Sequence, residues 1–153
     1  MPRQFDISAI LRESIKRIKP YSSARDEFTG EANIFLDANE NPLGSVGGSY
    51  NNRYPDPYQH NLKKEISKIK NVPVENIFVG NGSDEAIDLL FKAFCYPGRD
   101  KALAIAPSYG MYKVSADVND VEIIDIRLDN NFQPDVDSII YHDIRNVKLL
   151  FLC

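Results

Sequence analysis

The chain has 153 residues, of which 43% are hydrophobic and 26% charged, as expected for a globular protein rather than a disordered or membrane-spanning one. The net charge is −4 and the basic residues are scattered, which argues against binding to nucleic acid or to an anionic membrane. No apolar run of signal-peptide length opens the sequence, and Cys95 and Cys153 form no CxxC motif. We therefore expect a cytoplasmic protein with buried free thiols. Because its two histidines lie far apart, we expect no metal site.

The first half of the chain alternates apolar stretches with polar links. Apolar residues at helical spacing predict a helix from Ile7 to Ile18, with Asp6 as its cap, that is either a core helix or an arm lying on a partner subunit. Ile34–Leu36 predicts a short strand, and Leu62–Ile69 predicts an amphipathic helix whose lysines face outward.

The stretch from Ile77 to Phe94 predicts a strand, a glycine turn and a helix in succession. Its first residues are apolar and β-prone, Gly80-Asn81-Gly82 breaks the pattern, and apolar residues then recur on one helical face. Ser83 is expected to be the N-cap of this helix. A helix N-terminus presents backbone N–H groups at the positive end of the helix dipole, so this corner is a candidate phosphate site.

Two features weigh against a phosphate at this corner. The glycine spacing is neither that of the dinucleotide-binding motif nor that of a P-loop. Asp84 and Glu85 lie in the first turn, where their carboxylates would repel an anion unless the side chains point elsewhere. Capping of the helix alone is the alternative explanation of the corner.

The second half of the chain repeats the alternation of strands and helices. Apolar runs predict strands over 102–106, 121–128 and 147–153. One helix is predicted to begin near Ser108, and another to cover 135–144. This alternation predicts an α/β fold with a largely parallel sheet. The sequence stops inside its last apolar run, so we expect more polypeptide beyond Cys153.

Five stretches together resemble the histidinol-phosphate aminotransferases, pyridoxal-phosphate enzymes of the type I (aspartate aminotransferase) fold. Each stretch is a weak signal alone, but the five occur in the family's order across nearly the whole chain. They are Pro20-Tyr21-Ser22-Ser23-Ala24-Arg25, Leu36-Asp37-Ala38-Asn39-Glu40-Asn41-Pro42, Arg53-Tyr54-Pro55-Asp56-Pro57, Gly80-Asn81-Gly82-Ser83-Asp84-Glu85 and Pro107-Ser108-Tyr109-Gly110-Met111-Tyr112.

The resemblance implies an α/β, type I aminotransferase-like fold that is incomplete. Residues 1–52 would form an N-terminal arm and small-domain or linker segment. Residues 53–153 would form the N-terminal part of a truncated large domain that binds the cofactor, with a parallel-dominated sheet flanked by helices. Of the four strands predicted between Ile77 and Cys153, the resemblance places only the second and third side by side. Unpaired edges would result, so we expect the chain to be stable only with its missing half.

The resemblance also implies a site for pyridoxal 5'-phosphate. The backbone N–H groups of Ser83 and Asp84, next to Gly82, would hold the cofactor phosphate, and Tyr109 would stack on the pyridine ring. Tyr54 would donate its hydroxyl to the cofactor phosphate of the partner subunit in a homodimer. Simple packing is the alternative role for Tyr54.

The implied reaction is reversible amino transfer between histidinol phosphate and 2-oxoglutarate, a step of histidine biosynthesis. Tyr21 would line the substrate pocket near the substrate phosphate, and Asn39, Glu40 and Asn41 would border its mouth. Simple packing is the alternative role for Tyr21, as it is for Tyr54. In this family the Schiff-base lysine lies downstream of the position that corresponds to Cys153. We therefore expect no catalytic residue in this chain, and no activity without the missing C-terminal part of the same polypeptide.

Three other functions remain open. The chain is alternatively a non-catalytic remnant that binds phosphate or an intact partner subunit, a related aminotransferase or decarboxylase of the same fold, or an unrelated α/β ligand-binding domain. A gene that continues into a lysine-bearing stretch, with a visible absorbance band on adding the cofactor, distinguishes an aminotransferase from the remnant. The unrelated domain predicts that the cofactor has no effect on melting.

Overall fold

The computed structural model describes residues 6–30, 32–48, 51–141 and 143–153. The chain divides into two compact units. The first unit contains the residues up to Ile18 together with Gly80–Cys153, and the second unit is Lys19–Val79. The domain division predicted after residue 52 stays a prediction, and the borders of these compact units fall elsewhere.

A three-stranded parallel sheet forms the centre of the first unit. Its strands are β1 (Lys101–Ala106), β2 (Glu122–Arg127) and β3 (Val147–Phe151), in the order β2-β1-β3. β1 is central and its inner residues, 102–105, are buried, whereas β2 and β3 are only partly buried. The predicted α/β fold with a parallel sheet is confirmed.

The position of β3 corrects the expected strand order. β3 pairs directly with β1, with Ala102 opposite Leu149 and Ala104 opposite Phe151, so β1 has a neighbour on each side. The physical reason lies in β1 itself, because a strand that is apolar without interruption is buried on both faces in the middle of a parallel sheet. The strand predicted at 77–79 is wrong for the described part of the chain, where these residues join no ladder.

Helices pack around this sheet and in the second unit. In chain order they are α1 (Glu13–Lys16), α2 (Ala24–Glu27), α3 (His60–Lys70), α4 (Gly82–Phe94), α5 (Met111–Val118) and α6 (Val136–Tyr141). The main core forms where Ile87, Phe91 and Phe94 of α4 meet Ala102 and Ala116. These three α4 residues recur at helical spacing, so a single face of the helix is buried. Within the helix predicted over 135–144, α6 is observed and residue 142 lies outside the described residues.

The prediction of a single helix over 7–18 is wrong. The structure has a 3-10 turn at Ile7–Ala9 and the short helix α1, separated by a non-helical break. At the interruption, the backbone N–H of Arg12 donates to the Ala93 carbonyl at 3.0 Å, and its guanidinium donates to the Lys92 carbonyl at 2.8 Å. The last carbonyls of a helix have no partner within it. Arg12 therefore leaves the helical path and caps the C-terminal end of α4.

The second unit is organised without a sheet in its described residues. α3 confirms the predicted amphipathic helix, and a 3-10 turn follows at Val74–Asn76. The strand predicted at Ile34–Leu36 is wrong: Ile34 and Leu36 are 77% and 92% exposed and pair with no other strand. A strand needs a partner for its backbone hydrogen bonds, and the described residues of this unit offer none.

The two thiols differ in burial. Cys95 is buried as predicted, and burial raises the pKa of its thiol to about 11. Cys153 is exposed, contrary to the prediction, because β3 ends two residues earlier at Phe151. Among the helices of the described residues, none has both the length and the apolar character to cross a membrane.

Candidate functional site

The N-terminus of α4 follows a turn that only glycine forms without strain. Gly82 has φ +77°, in the left-handed region, and its backbone N–H donates to the Gly80 carbonyl at 3.0 Å. A Cβ built on Gly82 would meet no atom within 4 Å. The turn therefore delivers an exposed helix N-terminus with open space beside it.

The first amides of α4 remain available for a ligand. Within the described residues, neither the Ser83 N–H nor the Asp84 N–H donates to a protein acceptor. Ser83 is not the N-cap that the sequence predicted, since the helix already includes Gly82 and the capping position is Asn81. Both amides lie in the first turn, where the N–H groups of a helix have no intrahelical acceptor.

The two carboxylates of this turn are both engaged by neighbouring groups. Asp84 Oδ1 accepts a hydrogen bond from the Tyr109 hydroxyl at 3.0 Å, and Glu85 Oε2 accepts the backbone N–H of Asn81. The hydrogen bond to Asp84 raises the pKa of Tyr109, because ionisation would break this bond and place a phenolate beside a carboxylate. Both carboxylates of the first turn are therefore held in hydrogen bonds within the chain.

Tyr109 brings an aromatic face to the same corner. It follows the carboxyl end of β1 after the cis peptide bond between Ala106 and Pro107. Its ring meets Tyr112 edge-on at 5.8 Å, and Tyr112 stacks on Phe151 of β3 at 4.5 Å. Tyr109 is 47% exposed and lines a pocket of about 180 Å³ at this end of the sheet. Ligands of parallel α/β sheets bind at the carboxyl ends of the strands.

These features fit the cofactor that the resemblance implies. Two unpaired amides at a helix N-terminus suit a phosphate, and the space that a Cβ would occupy at Gly82 is open. Tyr109, joined to the first turn through Asp84, supplies a planar surface of the kind that a pyridine ring stacks on.

The second unit carries the other predicted site residues around a cleft of about 660 Å³. The structure brings Tyr21 and Tyr54 together in the lining of this cleft, with Arg25 and Asp37. Tyr21 is 87% exposed and Tyr54 is 64% exposed, so both side chains are accessible to a ligand.

Glu40 lies at the centre of a network beside this cleft. Its Oε1 accepts Arg25 Nη1 at 3.0 Å and the Tyr54 backbone N–H at 2.7 Å, and its Oε2 accepts Arg53 Nη1 at 2.7 Å and Arg25 Nη2 at 3.2 Å. The side chain is 3% exposed. The hydrogen bonds from Arg25, Arg53 and the Tyr54 amide hold the pKa of Glu40 at about 2.

The two asparagines of the predicted pocket mouth differ in their availability. Asn41 closes its own loop, since its Oδ1 accepts the Leu43 N–H at 3.0 Å and its Nδ2 donates to the Gly44 carbonyl at 2.8 Å. Asn39 is exposed. The predicted contacts of Asn39, Glu40 and Asn41 with substrate stay predictions, and the side chains of Glu40 and Asn41 are occupied within the chain.

The charged partners of Glu40 were not predicted from the sequence. Arg25 also forms two hydrogen bonds with Asp37, at 2.8 and 2.9 Å, and the guanidinium groups of Arg25 and Arg53 lie 5.1 and 5.3 Å from the Phe35 ring centroid. A usable signal was present, because two arginines and two acids recur in three of the five stretches that carry the resemblance. Opposite charges in short polar loops often pair with each other.

Comparisons with known proteins agree with this geometry. The family model for aminotransferase class I and II matches residues 34–153. A histidinol-phosphate aminotransferase of Cytophaga hutchinsonii is 54% identical over 149 residues, which are 97% of this chain and 43% of that protein. One of Bacteroides fragilis is 54% identical over 148 residues, 96% of this chain and 42% of that protein. This chain thus spans less than half the length of these curated relatives.

A solved structure gives the same result for the fold. The crystal structure of tyrosine aminotransferase from Leishmania infantum superposes with a TM-score of 0.61 at 25% identity, covering 69% of this chain and 32% of that one. The expected type I aminotransferase-like fold, present here as a partial domain, is therefore confirmed. With the family match extending over most of its residues, the chain belongs to the class I and II aminotransferases.

Proposed function

We propose that this chain is the N-terminal part of a pyridoxal-phosphate-dependent histidinol-phosphate aminotransferase. The observation that carries the proposal is the corner at α4, where the Ser83 and Asp84 amides are unpaired and Tyr109 holds the Asp84 carboxylate. The names of the two relatives at 54% identity support the choice of histidinol phosphate as amino donor.

The residues of this chain would bind and orient the reactants. When bound, the cofactor supplies an electron sink for the bonds that break at the amino carbon. The Ser83 and Asp84 amides would hold its phosphate, and the Tyr109 ring would limit its tilt. The hydroxyl of Tyr54 would donate to the phosphate in the partner subunit of a homodimer, and Tyr21 would lie near the substrate phosphate.

The amine that the reaction requires would come from outside this sequence. None of the lysines here follows the serine-containing context of the family's lysine. The polypeptide beyond Cys153 would supply it, together with the groups that bind the pyridine nitrogen and 2-oxoglutarate. A cytoplasmic location and a homodimeric state belong to the same proposal.

An amino-transfer assay tests the proposal on the protein in the form its gene encodes. With pyridoxal phosphate and 2-oxoglutarate present, we expect glutamate to form from histidinol phosphate, and to form much more slowly from tyrosine as the matched alternative donor. A preference for tyrosine would overturn the substrate assignment. Absence of any cofactor-dependent glutamate would overturn the aminotransferase assignment.

A further inference from the structure

The structure assigns Glu40 the role of a positioning residue for Tyr54, in place of the substrate contact expected from the sequence. The inference rests on the proposed function, in which the Tyr54 hydroxyl donates to the cofactor phosphate. Its basis is the arrangement of the Glu40 carboxylate within the second unit.

The Glu40 carboxylate has no acceptor capacity left for a substrate. A carboxylate offers about four lone-pair positions. At Glu40 four donors fill them, two from Arg25, one from Arg53 and one from the Tyr54 backbone. With its side chain only 3% exposed, Glu40 is closed to ligands unless these contacts break.

The same contacts fix the backbone at Tyr54. A charge-assisted hydrogen bond of 2.7 Å joins the Tyr54 N–H to Glu40 Oε1. Pro55 follows directly and restricts Tyr54 to extended conformations. With its amide bound on one side and proline on the other, Tyr54 has few backbone conformations left, and its side chain lies in the wall of the cleft.

The arginines that hold Glu40 are themselves held. Arg25 is shared between Glu40 and Asp37, and Arg25 and Arg53 both lie against the Phe35 ring. No apolar residue among those described in this unit is buried, so these polar contacts replace an apolar core as the source of its local order. Loss of the Glu40 charge should therefore loosen Tyr54 first.

Cofactor binding offers a readout specific to this role. If Glu40 acts through Tyr54, Glu40→Gln should weaken binding of pyridoxal phosphate about tenfold, as expected for the loss of one hydrogen bond to a charged group. Binding of pyridoxal, which lacks the phosphate, should be unchanged. Tyr54→Phe should give the same pattern, and the double variant should be no worse than Tyr54→Phe, since both changes remove the same interaction.

Amide hydrogen exchange tests the positioning itself, without reference to the cofactor. In Glu40→Gln the Tyr54 amide should exchange faster than in the unmodified protein. Glu65→Gln is the matched control, because Glu65 lies in the same unit and, among the described residues, its side chain pairs only with Lys68 on the exposed face of α3. It should leave both the Tyr54 amide and the cofactor affinity unchanged.

Every outcome bears on the inference. Unchanged exchange at Tyr54, equal losses for pyridoxal and pyridoxal phosphate, or additive losses in the double variant would each overturn it. If the unmodified protein binds no pyridoxal phosphate, the proposed function fails, and the exchange experiment alone decides the role of Glu40. If Glu40→Gln does not fold, Arg53→Met removes the Arg53 donor to Glu40 Oε2 while keeping a long side chain, and the same measurements apply.

Discussion

The two compact units of this chain are stabilised by different forces. The first has a close-packed apolar core in which Phe91 of α4 is fully buried and packs against Phe151 of β3. The second has no buried apolar residue among those described and is organised by ion pairs that converge on the buried Glu40 carboxylate. An apolar core responds to lost volume, whereas ion pairs respond to protonation, so different perturbations should disrupt the two units.

The largest effect is expected from removing volume in the core. Phe91→Ala should lower the free energy of unfolding by about 3–5 kcal/mol, because it removes buried apolar surface and leaves a cavity. Phe78→Ala is the matched control, since Phe78 lies in the second unit and is 58% exposed. It should cost far less. Urea denaturation of the protein in the form its gene encodes measures both changes, and equal losses would contradict the contrast between the units.

Acid should act on the second unit through Glu40. The pKa of Glu40 is about 2, held there by Arg25, Arg53 and the Tyr54 amide, against an ordinary value of 4.5. Because the folded value is the lower one, the stabilisation is complete above pH 4.5 and is lost as the pH falls toward 2. Arg25 also lowers the pKa of Asp37, with the same sign.

An NMR titration of the Tyr54 amide follows this loss. In the unmodified protein the amide resonance should shift as the pH falls toward the Glu40 pKa of about 2, where the carboxylate is protonated and its hydrogen bond with the Tyr54 amide weakens. In Glu40→Gln, which cannot titrate at this position, that shift should disappear. An identical titration in both proteins would show that another group controls the acid response.

Strain at the phosphate corner should produce a smaller effect. Gly82→Ala places a side chain at φ +77°, which costs roughly 1–2 kcal/mol in the left-handed region. Gly48→Ala imposes a similar strain at φ +69° in the second unit, and neither Cβ would meet an atom within 4 Å. Both variants should be destabilised alike, and only Gly82→Ala should also weaken binding of pyridoxal phosphate. If calorimetric titration finds that Gly82→Ala and Gly48→Ala bind pyridoxal phosphate equally well, the N-terminus of α4 is not part of the cofactor site.

The sequence predicted most of the first unit because its signals there are local. The helical spacing of Ile87, Phe91 and Phe94 and the unbroken apolar run of β1 are sufficient to identify a buried helix and a buried strand. Strand order depends on which edges meet in space, so the resemblance was needed for it, and its implied order was wrong at β3. The apolar character of β1 was the sequence feature that favoured a central position.

The second unit was harder to predict because its order depends on contacts between distant side chains. The sequence places Glu40 in a polar loop, and the arginines that fill its acceptor positions, Arg25 and Arg53, lie 15 and 13 residues away from it. The apolar triplet at Ile34–Leu36 has the composition of a strand and no strand partner. Tyr21 and Tyr54 could be named from the resemblance, but their shared cleft required the structure.

The smallest effect is expected at the contact between Tyr109 and Asp84, and it tests how the corner tolerates its own carboxylates. Tyr109→Phe keeps the ring that would stack on the cofactor but releases the Asp84 carboxylate, whose only hydrogen-bond partner among the described residues is the Tyr109 hydroxyl. The freed carboxylate would then repel the phosphate, and affinity for pyridoxal phosphate should fall about threefold at low salt, within the range of an exposed charge pair.

Adding Asp84→Asn to Tyr109→Phe should restore the affinity, because it removes the repelling charge and leaves the backbone amide in place. High salt should also abolish the defect of Tyr109→Phe by screening the same repulsion. If the double variant binds no better than Tyr109→Phe alone, the hydroxyl contributes by some route other than holding Asp84. Calorimetric titrations at two salt concentrations separate these outcomes, since a packing defect would not respond to salt.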